Sequence, residues 1–403
     1  MIAGVTEPVG TSVGHGMDPL RRCTGDTDAF VDGTWGARAA VHPAAEPEGF
    51  QDLLTLEDVD RILTTTSLRT PSFRLVKAGE QIPESSYTRS GRTGSKPVSG
   101  MADPARIAAL FDDGATIVLQ GLHRNWEPVA AFTRALELQL GHPCQVNAYI
   151  TPPGAQGLAL HADPHDVFVL QAFGRKHWEV HAAPGERARD PLDADLGPGD
   201  CIYMPTGTAH AATTGDVLSG HLTVGVHVVR WSDVLADVWR SLADDPALDE
   251  AIPVGWTTDR ARFGDLLRQR LGTLGSALDG VDVDAVAEAR IRRFLSTRAQ
   301  LLRGVLVQRQ AVDAIEDDTV LTVRPGAVCE LERDGDRLMV LLGDRRLDMP
   351  GWLESAMRAV RSSDRFAVRD LTPAIADAGS RLVLVRRLTR EGLLLAEPVA
   401  LDG

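Results

Sequence analysis

HADPHDVFVLQAFGRKHW (residues 161–178) sets two histidines and two aspartates in its first six positions, continues through an apolar run and ends in a basic turn. The apolar run predicts a strand over 167–172 that turns at Gly174-Arg175 and returns with Lys176 and Trp178 on one face. In extended backbone, residues i and i+2 project to the same side, so His161 and Asp163 can point together. His165 lies beyond Pro164 in a different local geometry, and it and Asp166 are read as shaping the turn into the strand.

Around this stretch the pattern stays the same. Between residues 115 and 231 short segments such as ATIVLQGL, QVNAYIT, GLALHAD, KHWEVH, GDCIYMP and SGHLTVGVHVV alternate with Gly- or Pro-containing turns, with a helix expected at 126–140. Many short strands with turn residues between them favour a β-barrel or sandwich over alternating βαβ units. Seven of the eleven histidines fall between 161 and 227, so any chemistry is concentrated there.

Imidazole and carboxylate together make a borderline-to-hard ligand pair. If His210 of GPGDCIYMPTGTAHAAT is delivered by its Pro-Thr-Gly turn to the mouth of the barrel, the result is a two-histidine, one-carboxylate triad with open positions for ferrous iron. The competing reading makes His161 and Asp163 a hydrogen-bonded loop pair and His210 a turn cap, and an HxD by itself does not choose. In SGHLTVGVHV, Ser219, His221, Thr223, Gly225 and His227 share one face and Leu222, Val224, Val226 and Val228 the other. The polar face either meets solvent or lines a cavity for a polar ligand. Lys176 is one of only three lysines. At a strand start it is either a solvated charge or, aimed inward, a partner for the distal carboxylate of a dicarboxylate cosubstrate.

At 403 residues the chain has room for two or three domains, and 43% hydrophobic with 24% charged residues is ordinary for a soluble globular protein. A net charge of −14 argues against a broad grip on nucleic acid or anionic lipid. Four scattered cysteines without a CxxC pair indicate neither a thiolate zinc site nor a disulfide framework, and no apolar run reaches membrane-spanning length. With no signal-like start, a cytoplasmic setting without membrane partners is expected. Residues 1–27 read as a loose arm and 84–100 as a Gly- and Ser-rich loop. Thr55 and Asp58 start an amphipathic helix through a capping box, and MADPARIAALF resumes as helix. Residues 232–312 read as several amphipathic helices. In 313–403 a strand, an Asp334-Gly335 turn and a second strand precede a helix begun by Pro350, and a last helix closes through Glu391-Gly392 into a strand, a winged-helix-like grammar.

With these residues in view, GATIVLQGL, VNAYITPPGAQGLALHADPHDVFVLQAFGRKHWEVH and PGDCIYMPTGTAHAATTGDVLSGHLTVGVH, roughly residues 114–228, resemble the cupin-fold jumonji-C oxygenases of the ribosomal-oxygenase-like branch. The HxD, the GRKxW turn, the PGD strand, the distal histidine and the SxHLT strand stand in the family's order. The resemblance implies an α+β fold: a double-stranded β-helix domain with N-terminal helices (28–231), a helical dimerisation region (232–312) and a winged-helix-like domain (313–403). It implies Fe(II) on His161, Asp163 and His210, 2-oxoglutarate held by Lys176, O2 as the other cosubstrate, and Asn147, Tyr149, Ser219 and His221 around the cofactor pocket. It further implies a homodimer that hydroxylates a side chain of a protein or peptide, such as a ribosomal protein. Against this stand a hydroxylase of a free amino acid or natural-product precursor, a cupin enzyme that uses no 2-oxoglutarate, and a non-catalytic cupin binding protein. The last predicts a degraded triad or a missing lysine, and neither is seen.

Overall fold

The computed structural model describes residues 18–45, 49–181, 192–242, 245–246 and 248–396. It divides into two compact units, one formed by the chain up to Val228 together with the chain from Gln300 onward, the other by Val229–Ala299. In chain order the first unit begins with β1 (Ala40–His42), β2 (Phe73–Lys77), β3 (Glu80–Gln81), β4 (Thr88–Thr93), β5 (Lys96–Ala102), β6 (Thr116–Leu119) and β7 (Cys144–Thr151). It continues through β8 (His161–Ala162), β9 (Asp166–Phe173), β10 (Lys176–Val180), β11 (Leu192–Leu196), β12 (Cys201–Met204), β13 (Ala209–Thr213) and β14 (Ser219–Val226).

Two sheets make the double-stranded β-helix. The larger runs β1-β12-β9-β14-β7-β6-β2-β3 and the smaller β11-β10-β13-β8. β9 is buried along almost its whole length because both faces are covered. Phe168 and Leu170 pack outward with Val146, Ala148, Leu222 and Val224 against Val129, Phe132 and Leu136 of the helix Glu127–Leu140, whereas Val167 and Val169 pack inward with Trp178, Val180 and Leu196. At about 1.5–3 kcal/mol for each fully buried large side chain, the outer layer fixes which face of the sheet looks into the barrel. The inward alternation of β14 places Ser219, His221 and Thr223 opposite Thr151, Tyr149 and Asn147 of β7. The turn joining β9 to β10 depends on Gly174: its φ is +68°, and a Cβ there would lie 1.8 Å from the Leu218 carbonyl oxygen.

Several sequence expectations are met locally. Thr55 caps the helix Leu56–Thr65 with the reciprocal Asp58 bond, and Asp103 with Pro104 starts Pro104–Asp112. Others need correction. The stretch 84–100 holds a hairpin, β4 with β5, closed by a Gly94-Ser95 turn with Gly94 at φ +60°; the Gly and Ser residues that read as a loop supply its turn. Of the presumed arm, 1–17 lies outside the described residues, but Pro19–Thr24 is a helix capped by Asp18, with Leu20 and Cys23 in the core.

Beyond residue 300 the described chain adds β15 (Val320–Val323), β16 (Glu330–Asp334), β17 (Arg337–Leu342), β18 (Arg345–Pro350), β19 (Arg365–Ala367) and β20 (Leu394–Ala396). The single expected hairpin is a three-stranded meander, β16-β17-β18, because Gly343-Asp344 forms a second two-residue loop after the one at Gly335-Asp336. β19-β15-β20 forms a separate sheet, and the helices Glu354–Ser362 and Ala378–Arg390 share one core with both. In Val229–Ala299 the helices are Trp231–Leu242, Arg260–Asp279 and Val283–Ser296, none of which buries a residue. Among the described residues no helix is long and apolar enough to cross a membrane.

Candidate metal centre

β8 is only two residues long, yet it sets the site. Antiparallel pairing with β13 brings His161 directly opposite His210, and their ring centroids stand 4.4 Å apart. Asp163 follows at once, its carboxylate 3.7 Å from His210 Nε2. Each imidazole donates Nδ1–H to the carbonyl two residues earlier, His161 to Ala159 at 2.9 Å and His210 to Thr208 at 3.0 Å. That fixes the tautomer and leaves both Nε2 lone pairs free. Burial holds the pKa of His210 below its usual value, which keeps the ring neutral. Ligand atoms of His161, Asp163 and His210 all lie within 4.8 Å of one another, a donor set that fits a ferrous ion.

Behind the triad lies a cavity lined in part by Tyr149, Leu158, Lys176, Trp178, His210 and His221. Lys176 is 4% exposed. Its Nζ donates to Thr151 Oγ1 at 3.0 Å, and Thr116 Oγ1 donates to the same hydroxyl at 3.1 Å. Desolvation pushes the ammonium down to about 7, and no carboxylate pairs with it among the described residues. A buried lysine in that condition can receive an anion, which would restore its charge. His221 is stacked on Tyr149 at 5.1 Å and meets the edge of Trp178 at 5.2 Å. Burial, then Lys176 and His210, hold His221 neutral, and its Nδ1 and the Trp178 Nε1 are buried without hydrogen-bond partners. These orphaned polar atoms suit a polar guest in the cavity.

Residues 122–234 match the JmjC domain family. This stretch is similar to a JmjC domain. The chain is 28% identical over 304 residues to human ribosomal oxygenase 1, covering 66% of this chain and 45% of that one. It is 35% identical over 157 residues to bovine ribosomal oxygenase 2, covering 35% of this chain and 34% of the relative. The chain thus spans about half the length, or less, of these relatives. Among solved structures it is similar to the Escherichia coli ribosomal oxygenase YcfD, with a TM-score of 0.54 and 18% identity over 92% of this chain and 98% of that one. YcfD has also been solved in complex with cobalt and 2-oxoglutarate. At this identity the likeness speaks for the fold, and the resemblance read from the sequence agrees with it.

Of the residues singled out in sequence, the fold brings His161, Asp163, His210, Lys176, Tyr149 and His221 to one cavity. Asn147 faces a neighbouring groove with Gly121 and His123, where its Oδ1 accepts from the Gly121 amide at 2.9 Å. Its side chain also bonds the Tyr149 phenol, as does that of Arg74. Ser219 is fully buried and accepts from Gln171 Nε2 at 2.9 Å rather than lining the cavity. Thr116 and Thr151, which position the Lys176 ammonium, were not singled out. Their signal was a threonine at one end of each of two strands, TIVL and NAYIT.

Proposed function

We propose that the chain is an Fe(II)- and 2-oxoglutarate-dependent oxygenase that hydroxylates an amino-acid side chain of a protein or peptide, with a ribosomal protein as the substrate class. One observation carries this reading. The same cavity holds an oriented His-Asp-His donor set and a buried lysine that no carboxylate partners among the described residues. His161, Asp163 and His210 would hold the metal, and Lys176 with Thr151 the distal carboxylate of the dicarboxylate. The bound iron, with 2-oxoglutarate and O2, supplies the oxidising power for C–H hydroxylation and leaves succinate and carbon dioxide. The chain's own part is orientation and exclusion. The Ala159 and Thr208 carbonyls fix the two imidazoles, while Trp178, Val167 and Val169 keep water from the cavity floor. The similarity to ribosomal oxygenases and the cobalt and 2-oxoglutarate complex of YcfD support both the reaction and the substrate class.

The test is incubation of purified protein with Fe(II), 2-oxoglutarate and cell extract, followed by mass spectrometry. A gain of one oxygen on a ribosomal protein is the expected result. A gain confined to free amino acids would move the substrate to small molecules, and no 2-oxoglutarate turnover at all would overturn the reading.

We infer that Val229–Ala299 is the dimerisation element and that the sheets and helices of 313–403 form a winged-helix-like domain with a packing or partner role. Trp231, Leu235, Trp239 and Leu271 are 81, 62, 51 and 56% exposed, an apolar surface suited to a second copy. Light scattering should return about twice 43.4 kDa, and a monomeric mass would refute the assignment. The four free thiols, Cys23, Cys144, Cys201 and Cys329, fit the reducing setting of the cytoplasm.

A further inference from the structure

Asp166 opens β9 and is only 3% exposed. A carboxylate so deeply buried needs several donors, and it has them. Its Oδ1 accepts from the Thr206 amide at 2.8 Å and from Thr206 Oγ1 at 2.6 Å, and its Oδ2 accepts from the Tyr203 phenol at 2.5 Å. Tyr203 in turn accepts from the Gly36 amide at 2.8 Å. Burial and the adjacent carboxylate push the phenol well above its usual range, so it remains a donor.

The segment that Asp166 grips is the turn feeding His210. Thr208 closes that turn on the Pro205 carbonyl through both its amide at 3.2 Å and its hydroxyl at 2.7 Å, and the Thr208 carbonyl receives His210 Nδ1–H. A second strut joins the same two segments: the Gly207 amide donates to the Asp163 carbonyl at 2.9 Å. The chain just after Asp163 and the chain just before His210 are therefore bolted together, and the bolt reaches the carbonyl that orients the imidazole.

We propose that Asp166 is a positioning residue for the metal triad, acting through Thr206 and the 205–208 turn to hold His210 at its set distance from Asp163. This rests on the metal-binding reading above. It also replaces the sequence-based view of Asp166 as a residue that merely shapes the entry to its strand. If the carboxylate served the core alone, its loss would lower stability without altering the ligand set. If it positions His210, the metal reports the change.

The experiment uses the full chain and Co(II) under anaerobic conditions, read by calorimetry and by the visible ligand-field spectrum. Asp166→Asn is expected to weaken Co(II) binding by about tenfold or more and to alter the spectrum, the range seen when groups behind metal ligands are removed. Thr206→Val, which deletes one of the bonds and keeps the backbone, should weaken binding severalfold, and Thr206→Ser should restore it. Should Asp166→Asn fail to fold, the Thr206 pair still decides the matter. Co(II) binding within twofold of the unsubstituted protein, with an unchanged spectrum, in Thr206→Val and in any folded Asp166→Asn protein overturns the proposal. So does a Thr206→Ser protein as impaired as Thr206→Val. Failure of the unsubstituted protein to bind Co(II) would instead overturn the metal centre itself.

Discussion

Replacing His210 with alanine is expected to abolish 2-oxoglutarate turnover and to weaken metal binding by at least about a hundredfold, more than the loss that follows removal of a group behind a ligand. The ring is 5% exposed, held by one backbone carbonyl and aimed at two other ligands, so no nearby group in the triad can replace it. His161→Ala and Asp163→Ala should behave alike, because the three ligand atoms act as one set. The measurement is anaerobic Co(II) or Fe(II) titration together with succinate formation in the absence of any protein substrate. Turnover like that of the unsubstituted protein in His161→Ala would sink the metal assignment.

Lys176→Ala should separate the two cofactors. The lysine is held by Thr151 and lies outside the triad, so metal affinity should change little while 2-oxoglutarate affinity falls by about a hundredfold, as expected when a buried anion loses a cationic partner. Equal losses for metal and cosubstrate would count against this role. The acid–base behaviour gives a second reading. In the ligand-free site burial sets Lys176 at about 7, far below the usual lysine range. A bound carboxylate raises it again, so binding takes up a proton whenever the free lysine is neutral. Affinity should be greatest below pH 7 and fall toward about tenfold per pH unit above it, until the bound-state pKa is reached. Lys176→Ala should flatten that slope, and a slope that survives the substitution assigns it to another group.

The barrel was legible because short apolar strands, some of them alternating, are separated by turns punctuated by glycine, as at Gly174. The histidine pair was legible in part: an HxD gives two same-side ligands, but the partner from β13 rests on antiparallel register, which no local spacing reveals. Asn147 and Ser219 show the opposite limit. Both lie on the expected faces of β7 and β14, yet each side chain is claimed by a neighbour, the Gly121 amide in one case and Gln171 in the other. Face is a property of the strand, whereas availability depends on residues distant in sequence. The 84–100 hairpin was hidden for another reason: exposed strands lack the apolar alternation that marks buried ones, and only its Gly94-Ser95 turn carries a signal.

The short strand β10 carries Lys176 at one end and Val180 at the other, with Val180 in register with His210. Two periods of the pleat therefore separate the backbone positions of Lys176 and Val180, about 13 Å at 3.3 Å per residue. The strand is a ruler for where its side chains start, and so for which of them share the cavity. A single residue inserted between His177 and Val180 would lengthen that ruler by one division. It would also turn Lys176 out to the face now held by His177 and Glu179, leaving an intact triad with nothing to hold the far end of its guest.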